Sequence, residues 1–246
     1  MESYFLTDTG RVREHNEDSV TILKNIKGEY LLAVADGMGG HKAGEVASSM
    51  AIDHLTREFD LLESFGEKKD AIRWIRKQVE DINNEIFAYT YENEKSKGMG
   101  TTLVLAIYTK DYLLFGNIGD SSGFVIKNSE LFKITKDHTL VNLLVKNGEL
   151  TEEEAKNHPK KNILMRALGA NNPIEVDIFS VEEKVDGIFL SSDGLTSMLN
   201  KSQIERVLAS PASLEEKIIK LIRKANIRGG LDNISIACLK IKEGEE

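Results

Sequence analysis

The spacing of apolar positions changes along the chain, and those changes divide it into strands and helices. Residues 3–9 and 19–25 pattern as short strands, and residues 30–35 (Tyr-Leu-Leu-Ala-Val-Ala) predict a buried strand. A glycine cluster follows, and residues 43–59 predict a helix. A second helix is predicted over 70–92, where Ile72, Ile75, Val79, Ile82 and Ile86 recur at spacings of three and four on one face. The stripe is too short for a coiled coil and predicts core packing.

Residues 101–108, 112–117, 123–127 and 131–135 predict a run of strands, and their short connections favour antiparallel pairing. A polar, partly helical segment, 138–169, interrupts the series. Residues 187–191 predict another buried strand, 214–227 an amphipathic helix, and 234–241 a closing strand. Strands in runs, with two long helices between the early and middle ones and one near the end, indicate α+β layers rather than strict βαβ alternation. No repeat or proline-rich linker breaks residues 1–246, so a single domain is expected. The three prolines, Pro159, Pro173 and Pro211, fall in predicted loops.

Composition narrows the function classes. A hydrophobic share of 41% supports a sizeable core. A formal net charge of −8 leaves no basic footprint for nucleic acid. The single cysteine, Cys238, sits in an alternating strand pattern and reads as a buried structural thiol; no disulfide or Cys/His zinc pattern can be built on it. No apolar stretch reaches the about 18 residues of a membrane span, and the N-terminus lacks a signal-peptide pattern. The cytoplasm is the expected location, with no membrane partner.

The chemistry lies in acidic residues set in Gly- or Asn-marked contexts: Glu17-Asp18, Asp36 before Gly37-Met38-Gly39-Gly40, Asp120 in Ile-Gly-Asp-Ser, Asp193-Gly194, and Asp232-Asn233. Several follow an apolar run, so the carboxylate stands at a strand end and points into a shared crevice. Carboxylates crowded in one crevice repel unless cations hold them, and oxygen ligands suit Mg2+ or Mn2+. Asp-Gly can also be a plain hairpin turn. That reading suits Asp186-Gly187, but is weaker at Asp36, where a helix pattern follows. The glycine cluster matches neither phosphate-binding glycine motif. Arg13 reads either as half of a surface salt bridge or as a fork for phosphate oxygens.

In order along the chain, Thr-Asp-Thr-Gly-Arg-Val-Arg-Glu-His-Asn-Glu-Asp, Ala-Asp-Gly-Met-Gly-Gly-His-Lys-Ala-Gly-Glu, Gly-Met-Gly-Thr-Thr, Asn-Ile-Gly-Asp-Ser, Leu-Ser-Ser-Asp-Gly-Leu and Leu-Asp-Asn-Ile-Ser closely resemble the metal-dependent serine/threonine protein phosphatases of type 2C, of the bacterial kind. Any one motif is weak; the ordered set is specific and covers essentially the whole chain.

The resemblance implies a four-layer α/β/β/α sandwich: two stacked, mostly antiparallel sheets flanked by helix pairs. It implies Asp36 bridging two Mn2+ or Mg2+ ions, with Asp193 and Asp232 on the first and the Gly37 carbonyl on the second. Glu17 and Asp18 would hold or orient the waters of those ions. Asp120, with Asp193, matches the positions of a third, weaker ion, and Arg13 matches the phosphate-binding arginine. The segment 138–169 corresponds to the flap beside the active site. The implied reaction is hydrolysis of phosphoserine and phosphothreonine in proteins by in-line attack of water, with no phosphoenzyme. A bacterial Ser/Thr kinase is the implied counterpart, and a monomer is the default.

Two positions depart from the family pattern. Met38 stands where many eukaryotic members have a histidine that is a candidate acid for the leaving alkoxide. The proton donor therefore stays open: His41 could serve directly or through water, or be an ordinary loop histidine. His15 is a weaker candidate, and His54, His138 and His158 read as structural or surface residues. Ser122 stands where the family often has arginine, and there it concerns packing. A catalytically silent phosphoprotein sensor would be expected to lose acidic ligands, and Asp36, Asp193 and Asp232 are all present. A phosphatase dedicated to one regulatory protein is a third reading.

Overall fold

The computed structural model describes residues 1–39 and 43–241. Its strands form two antiparallel sheets. The first contains β1 (Glu2–Asp8), β7 (Ser122–Lys127), β8 (Glu130–Lys133), β10 (Gly187–Ser191) and β11 (Ile234–Lys240), in the order β1-β11-β10-β7-β8. The second contains β2 (Asp18–Lys24), β3 (Tyr30–Met38), β5 (Leu103–Tyr108), β6 (Leu113–Ile118) and β9 (Asp177–Val181), in the order β2-β3-β5-β6-β9. The two-residue β4 (Gly100–Thr101) pairs with the end of β3.

Strand periodicity sorts the side chains into layers. On β3, Tyr30, Leu32 and Val34 enter the core between the sheets with Val104, Phe115, Ile188 and Leu239. The alternate residues Leu31, Ala33 and Ala35 face outward onto α1 (Ala43–Asp60) and α2 (Lys68–Glu92). On α1, Ala43, Ala47, Ala51, Leu55 and Phe59 form the buried stripe; on α2, Ala71, Ile75, Val79, Ile82 and Ile86 do so. Small alanines on α1 let it lie close to the sheet.

The other outer layer is α7 (Leu214–Ile227) with α6 (Lys201–Leu208) and the short α5 (Asp193–Thr196). Their apolar residues pack on Phe189, Ile234, Ile236 and Cys238. A capping box, Ser213 with Glu216, fixes the start of α7. The four-layer α+β arrangement agrees with the expectation from sequence.

Several boundaries differ from the sequence reading. β3 runs three residues beyond 35 because β4 pairs Gly37 with Thr101 and Met38 with Gly100. The strand expected over 101–108 is broken at Thr102, whose N–H donates to Asp36 O at 2.9 Å while its side-chain oxygen accepts the Asp36 N–H. β9 and α6 were not predicted. β9 is a half-buried edge strand lacking an apolar run. α6 is short, although its Asn200/Gln203 capping box is visible in the sequence. Within residues 138–169 lie α3 (Leu140–Lys146) and α4 (Glu152–Lys156), and isolated bridges tie Thr139 to Leu164 and Thr101 to Leu168.

Candidate active site

Antiparallel pairing brings the ends of β3, β6 and β10 to the same edge of the sandwich as the starts of β2 and β11. Asp36 continues the Tyr30, Leu32, Val34 parity, so it occupies the mouth between the two sheets. Asp18 is its direct register partner on β2. Asp193 opens α5 after β10, Asp120 follows β6, and Asp232 precedes β11. A cleft of about 260 Å³ at this edge is lined by Arg13, Glu17, Asp36, Gly37, Asp120, Asp193 and Asp232, with Met38, Gly39, Thr102, Asn162 and Leu164. Seven of the nine candidate residues therefore meet in one cleft. Asp18 lies beside it against Asp36, and His41 lies outside the described residues.

Burial and crowding govern the electrostatics. Loss of hydration, then repulsion from Asp18, Asp193, Asp120 and Asp232, holds the Asp36 carboxyl well above the ordinary carboxylate range. Burial is also the main reason Asp18 and Asp120 are pushed up to about 7 and Asp193 to about 6. Glu17 is raised more mildly, mainly by burial, and the Gly44 amide at the start of α1 bonds its carboxylate in opposition. Asp18 Oδ2 accepts the Ser192 hydroxyl at 2.7 Å, whereas its buried Oδ1 has no hydrogen-bond partner among the described residues.

Arg13 sits on the rim. Its Nη2 donates to Asp232 Oδ2 at 2.8 Å, and its side chain is 49% exposed. Burial works against the cation, but the bond and charge of Asp232, supported by Glu17 and Asp36, leave it above its ordinary value. Arg13 is thus half of an ion pair, as one of its two readings expected, and its half-exposed side chain also lines the cleft.

The scaffold that holds these groups is polar and largely buried. Thr102 Oγ1 accepts the Asp36 N–H at 3.0 Å and lies 2.8 Å from Ser121 Oγ, while the Thr101 hydroxyl donates to Asp36 O. Asn233 Oδ1 accepts the Glu17 N–H at 2.8 Å, and Asn233 Nδ2 donates to Thr9 O and His15 O. One amide therefore fastens the loop carrying Arg13 and Glu17 to the strand beside Asp232. Gly37 lies where a Cβ would stand 2.1 Å from Gly44 O and 2.5 Å from Glu17 O, so only glycine allows β3, the Glu17 loop and α1 to meet.

From sequence, Thr102 carries no individual reading, and Asn233 figures only as the neighbour of Asp232, with no role of its own. Both lie inside the quoted motifs Gly-Met-Gly-Thr-Thr and Leu-Asp-Asn-Ile-Ser, which was the available signal. Asp137 also contributes: its charge raises Asp120 and Asp193, while Lys133 Nζ binds it at 2.6 Å. Asp186 does not form a hairpin, since it joins strands of different sheets; its Oδ2 accepts the Asn128 N–H at 2.6 Å. Ser122 is buried in β7 opposite Ser191.

The donor set is oxygen-only and anionic, which suits a hard divalent cation. The carboxylates ring the cleft rather than closing on one point: among the described residues, no three Asp, Glu, His or Cys side chains converge as a ready-made chelate. That spacing fits ions such as Mg2+, which retain several waters and need few direct protein ligands. The unpartnered Asp18 Oδ1 beside Asp36 is a further acceptor suited to such a water.

The protein phosphatase 2C family pattern matches residues 9–226. The chain belongs to the protein phosphatase 2C family. It is 43% identical to the serine/threonine phosphatase stp of Listeria welshimeri over 96% of this chain and 94% of that one. It is 37% identical to the protein phosphatase PhpP of Streptococcus pneumoniae over 99% and 98% of the two chains. The solved serine/threonine phosphatase of S. agalactiae superposes with a TM-score of 0.91 at 39% identity, covering 98% of this chain and 99% of that one. The protein is a metal-dependent protein serine/threonine phosphatase. No described helix of this phosphatase is long and apolar enough to cross a membrane.

Proposed function

We propose that the cleft hydrolyses phosphoserine and phosphothreonine in proteins with Mn2+ or Mg2+, two ions in the core and a third held more weakly. The observation carrying this reading is the convergence of Glu17, Asp36, Asp120, Asp193 and Asp232, with Arg13 on the rim, in one cleft. Asp36 would bridge the two core ions. Asp193 and Asp232 would hold the first and the Gly37 carbonyl the second; Glu17 and Asp18 would orient their waters. Asp120 with Asp193 would hold the third. When bound, such ions lower the pKa of water and offset phosphoryl charge.

The chain's own residues supply position and charge. Arg13, braced by Asp232, offers its free N–H groups to phosphoryl oxygens in a forked, charge-assisted geometry. The Asn233 clamp keeps that loop in place before substrate arrives, which reduces the ordering left to do on binding. Met38 has no proton to give, so His41 remains the proposed donor to the leaving alkoxide, directly or through water. Segment 138–169, which contributes Asn162 and Leu164 to the cleft wall, is the proposed flap of a single 1–246 domain. Phosphorylated proteins are the substrates, a Ser/Thr kinase in the same cytoplasm is the proposed counterpart, and the monomer is the proposed working form.

The test is hydrolysis of a phosphothreonine peptide by chelated protein as Mn2+ is restored. Activity should be absent after chelation and return with the metal. Undiminished hydrolysis by the metal-free protein would sink the reading. A folded protein inactive with every divalent ion would favour a silent sensor instead.

A further inference from the structure

We propose that His138 is a positioning residue that ties the 138–169 segment to Asp120 through the Gly119 peptide. The inference rests on the reading of Asp120 as a ligand of the weaker ion. His138 and Gly119 exchange two hydrogen bonds: the His138 N–H donates to Gly119 O at 2.9 Å, and the Gly119 N–H donates to His138 Nδ1 at 3.1 Å. The second bond fixes the tautomer. An amide N–H can only donate, so Nδ1 must accept, and the ring proton sits on Nε2. Nε2 lies 3.2 Å from Asp177 Oδ2, which receives that proton's hydrogen bond. Asp177 in turn is held by Arg166 Nη1 at 2.8 Å, and Arg166 also donates to Glu175 O.

The chain of contacts thus runs from β9 through one imidazole to the peptide immediately before Asp120. Gly119 has little room to respond in any other way. Its φ is +98°, and a Cβ there would stand 2.6 Å from Thr102 Cγ2, so Thr102 walls its other side. Thr102 also touches Ser121 Oγ. Asp120 is therefore bracketed by His138 acting on residue 119 and Thr102 acting on residue 121. His138 carries the segment as well: the Met165 N–H donates to His138 O at 2.8 Å, next to the Leu164 that lines the cleft. Asn117 Nδ2 also donates to Gly119 O at 3.3 Å and to Lys136 O at 2.9 Å, but of the two side chains on this peptide only His138 belongs to the segment, so it links the segment's movement to the setting of Asp120.

The two ring nitrogens can be tested separately. In His138→Asn, the side-chain oxygen can take the place of Nδ1 and accept from Gly119, but cannot reach Asp177. In His138→Gln, the amide can reach Asp177 but offers no acceptor at Nδ1. The experiment counts bound Mn2+ by electron paramagnetic resonance across a titration of the full chain, and follows the Gly119 amide resonance by NMR. His138→Gln and His138→Ala should raise the midpoint of the weak binding phase about fivefold, the worth of one net hydrogen bond, and displace the Gly119 resonance. His138→Asn should keep both near wild type and leave the tight phase unchanged.

Asp120→Ala is the reference and should lose the weak phase. If it does while the Gln and Ala variants bind like wild type, or if Asn is impaired as much as Gln, the positioning role is overturned and the ligand reading stands. If Asp120→Ala keeps the weak phase, the ligand reading fails and the inference falls with it. Should His138→Ala not fold, the Asn and Gln pair carries the test alone.

Discussion

Asn233 and Glu17 are 216 residues apart in sequence, yet the Asn233 side chain accepts the Glu17 N–H at 2.8 Å. With its two donors on Thr9 O and His15 O, the buried Asn233 is saturated on both sides of its amide. Its neighbour Asp232 braces Arg13, so adjacent residues just before β11 hold the loop that carries Arg13 and Glu17 by backbone and by side chain.

Asn233→Ala should therefore destabilise the phosphatase by about 1–3 kcal/mol, since it strands buried backbone groups. It should also raise KM for a phosphopeptide more than it lowers kcat. Asn233→Asp retains the acceptor for Glu17 but sets a second oxygen against two carbonyls, and should be at least as harmful. Denaturant midpoints with steady-state kinetics check this; a wild-type midpoint and wild-type kcat/KM in Asn233→Ala would refute the clamp.

Gly37→Ala should be strongly damaging to the site. Its methyl would overlap two backbone oxygens that cannot swing aside, so the cost should equal or exceed the about 1–3 kcal/mol of an overpacked core. Gly28→Ala is the control. Gly28 has φ of +77° with nothing within 4 Å, so only the left-handed backbone penalty of about 1 kcal/mol applies and activity should persist. Thermal unfolding and phosphopeptide assays of both variants decide it; equal losses would show that close approach at Gly37 is unimportant.

The raised carboxyls give the metal-free protein a defined pH dependence. Asp18 and Asp120 at about 7 and Asp193 at about 6 lie above their ordinary 3.8, so the folded state holds protons that the unfolded chain releases. Their stabilising contribution is complete below the ordinary value and is lost as pH rises through about 6 to 7. Divalent ions displace those protons, so their stabilising effect should grow over the same range. Melting of the chelated protein at pH 5.5 and pH 8, values chosen to lie roughly either side of these pKa values, with and without Mn2+, tests the sign. The Mn2+ shift should be larger at the higher pH, and the pH-dependent part smaller in Asp18→Asn. An equal Mn2+ shift at both would contradict the crowded-carboxylate account.

Much of this was legible in sequence for a local reason. Asp36, Asp120 and Asp193 each follow a strong apolar strand, and the strand fixes where the carboxylate emerges. The long helices declared themselves by Ile75, Val79, Ile82 and Ile86. Less legible were residues whose partners are distant. Nothing in the neighbourhood of Thr102 says that its hydroxyl will accept the Asp36 N–H, and nothing around Asn233 points to Thr9. His138 reads from sequence as a structural or surface residue; its link to Gly119 and Asp177 exists only once β6 and β9 pair. β9 escaped notice because an edge strand with one exposed face has no continuous apolar run.

The most direct test of the central claim is equilibrium dialysis that counts Mn2+ bound per chain in wild type, Asp36→Asn and Asp193→Asn. If Asp36 bridges the core ions, wild type should retain two tightly, Asp36→Asn should lose both, and Asp193→Asn should weaken the first while remaining folded. Wild-type binding in Asp36→Asn would contradict the account and move the metal site away from the mouth of the two sheets.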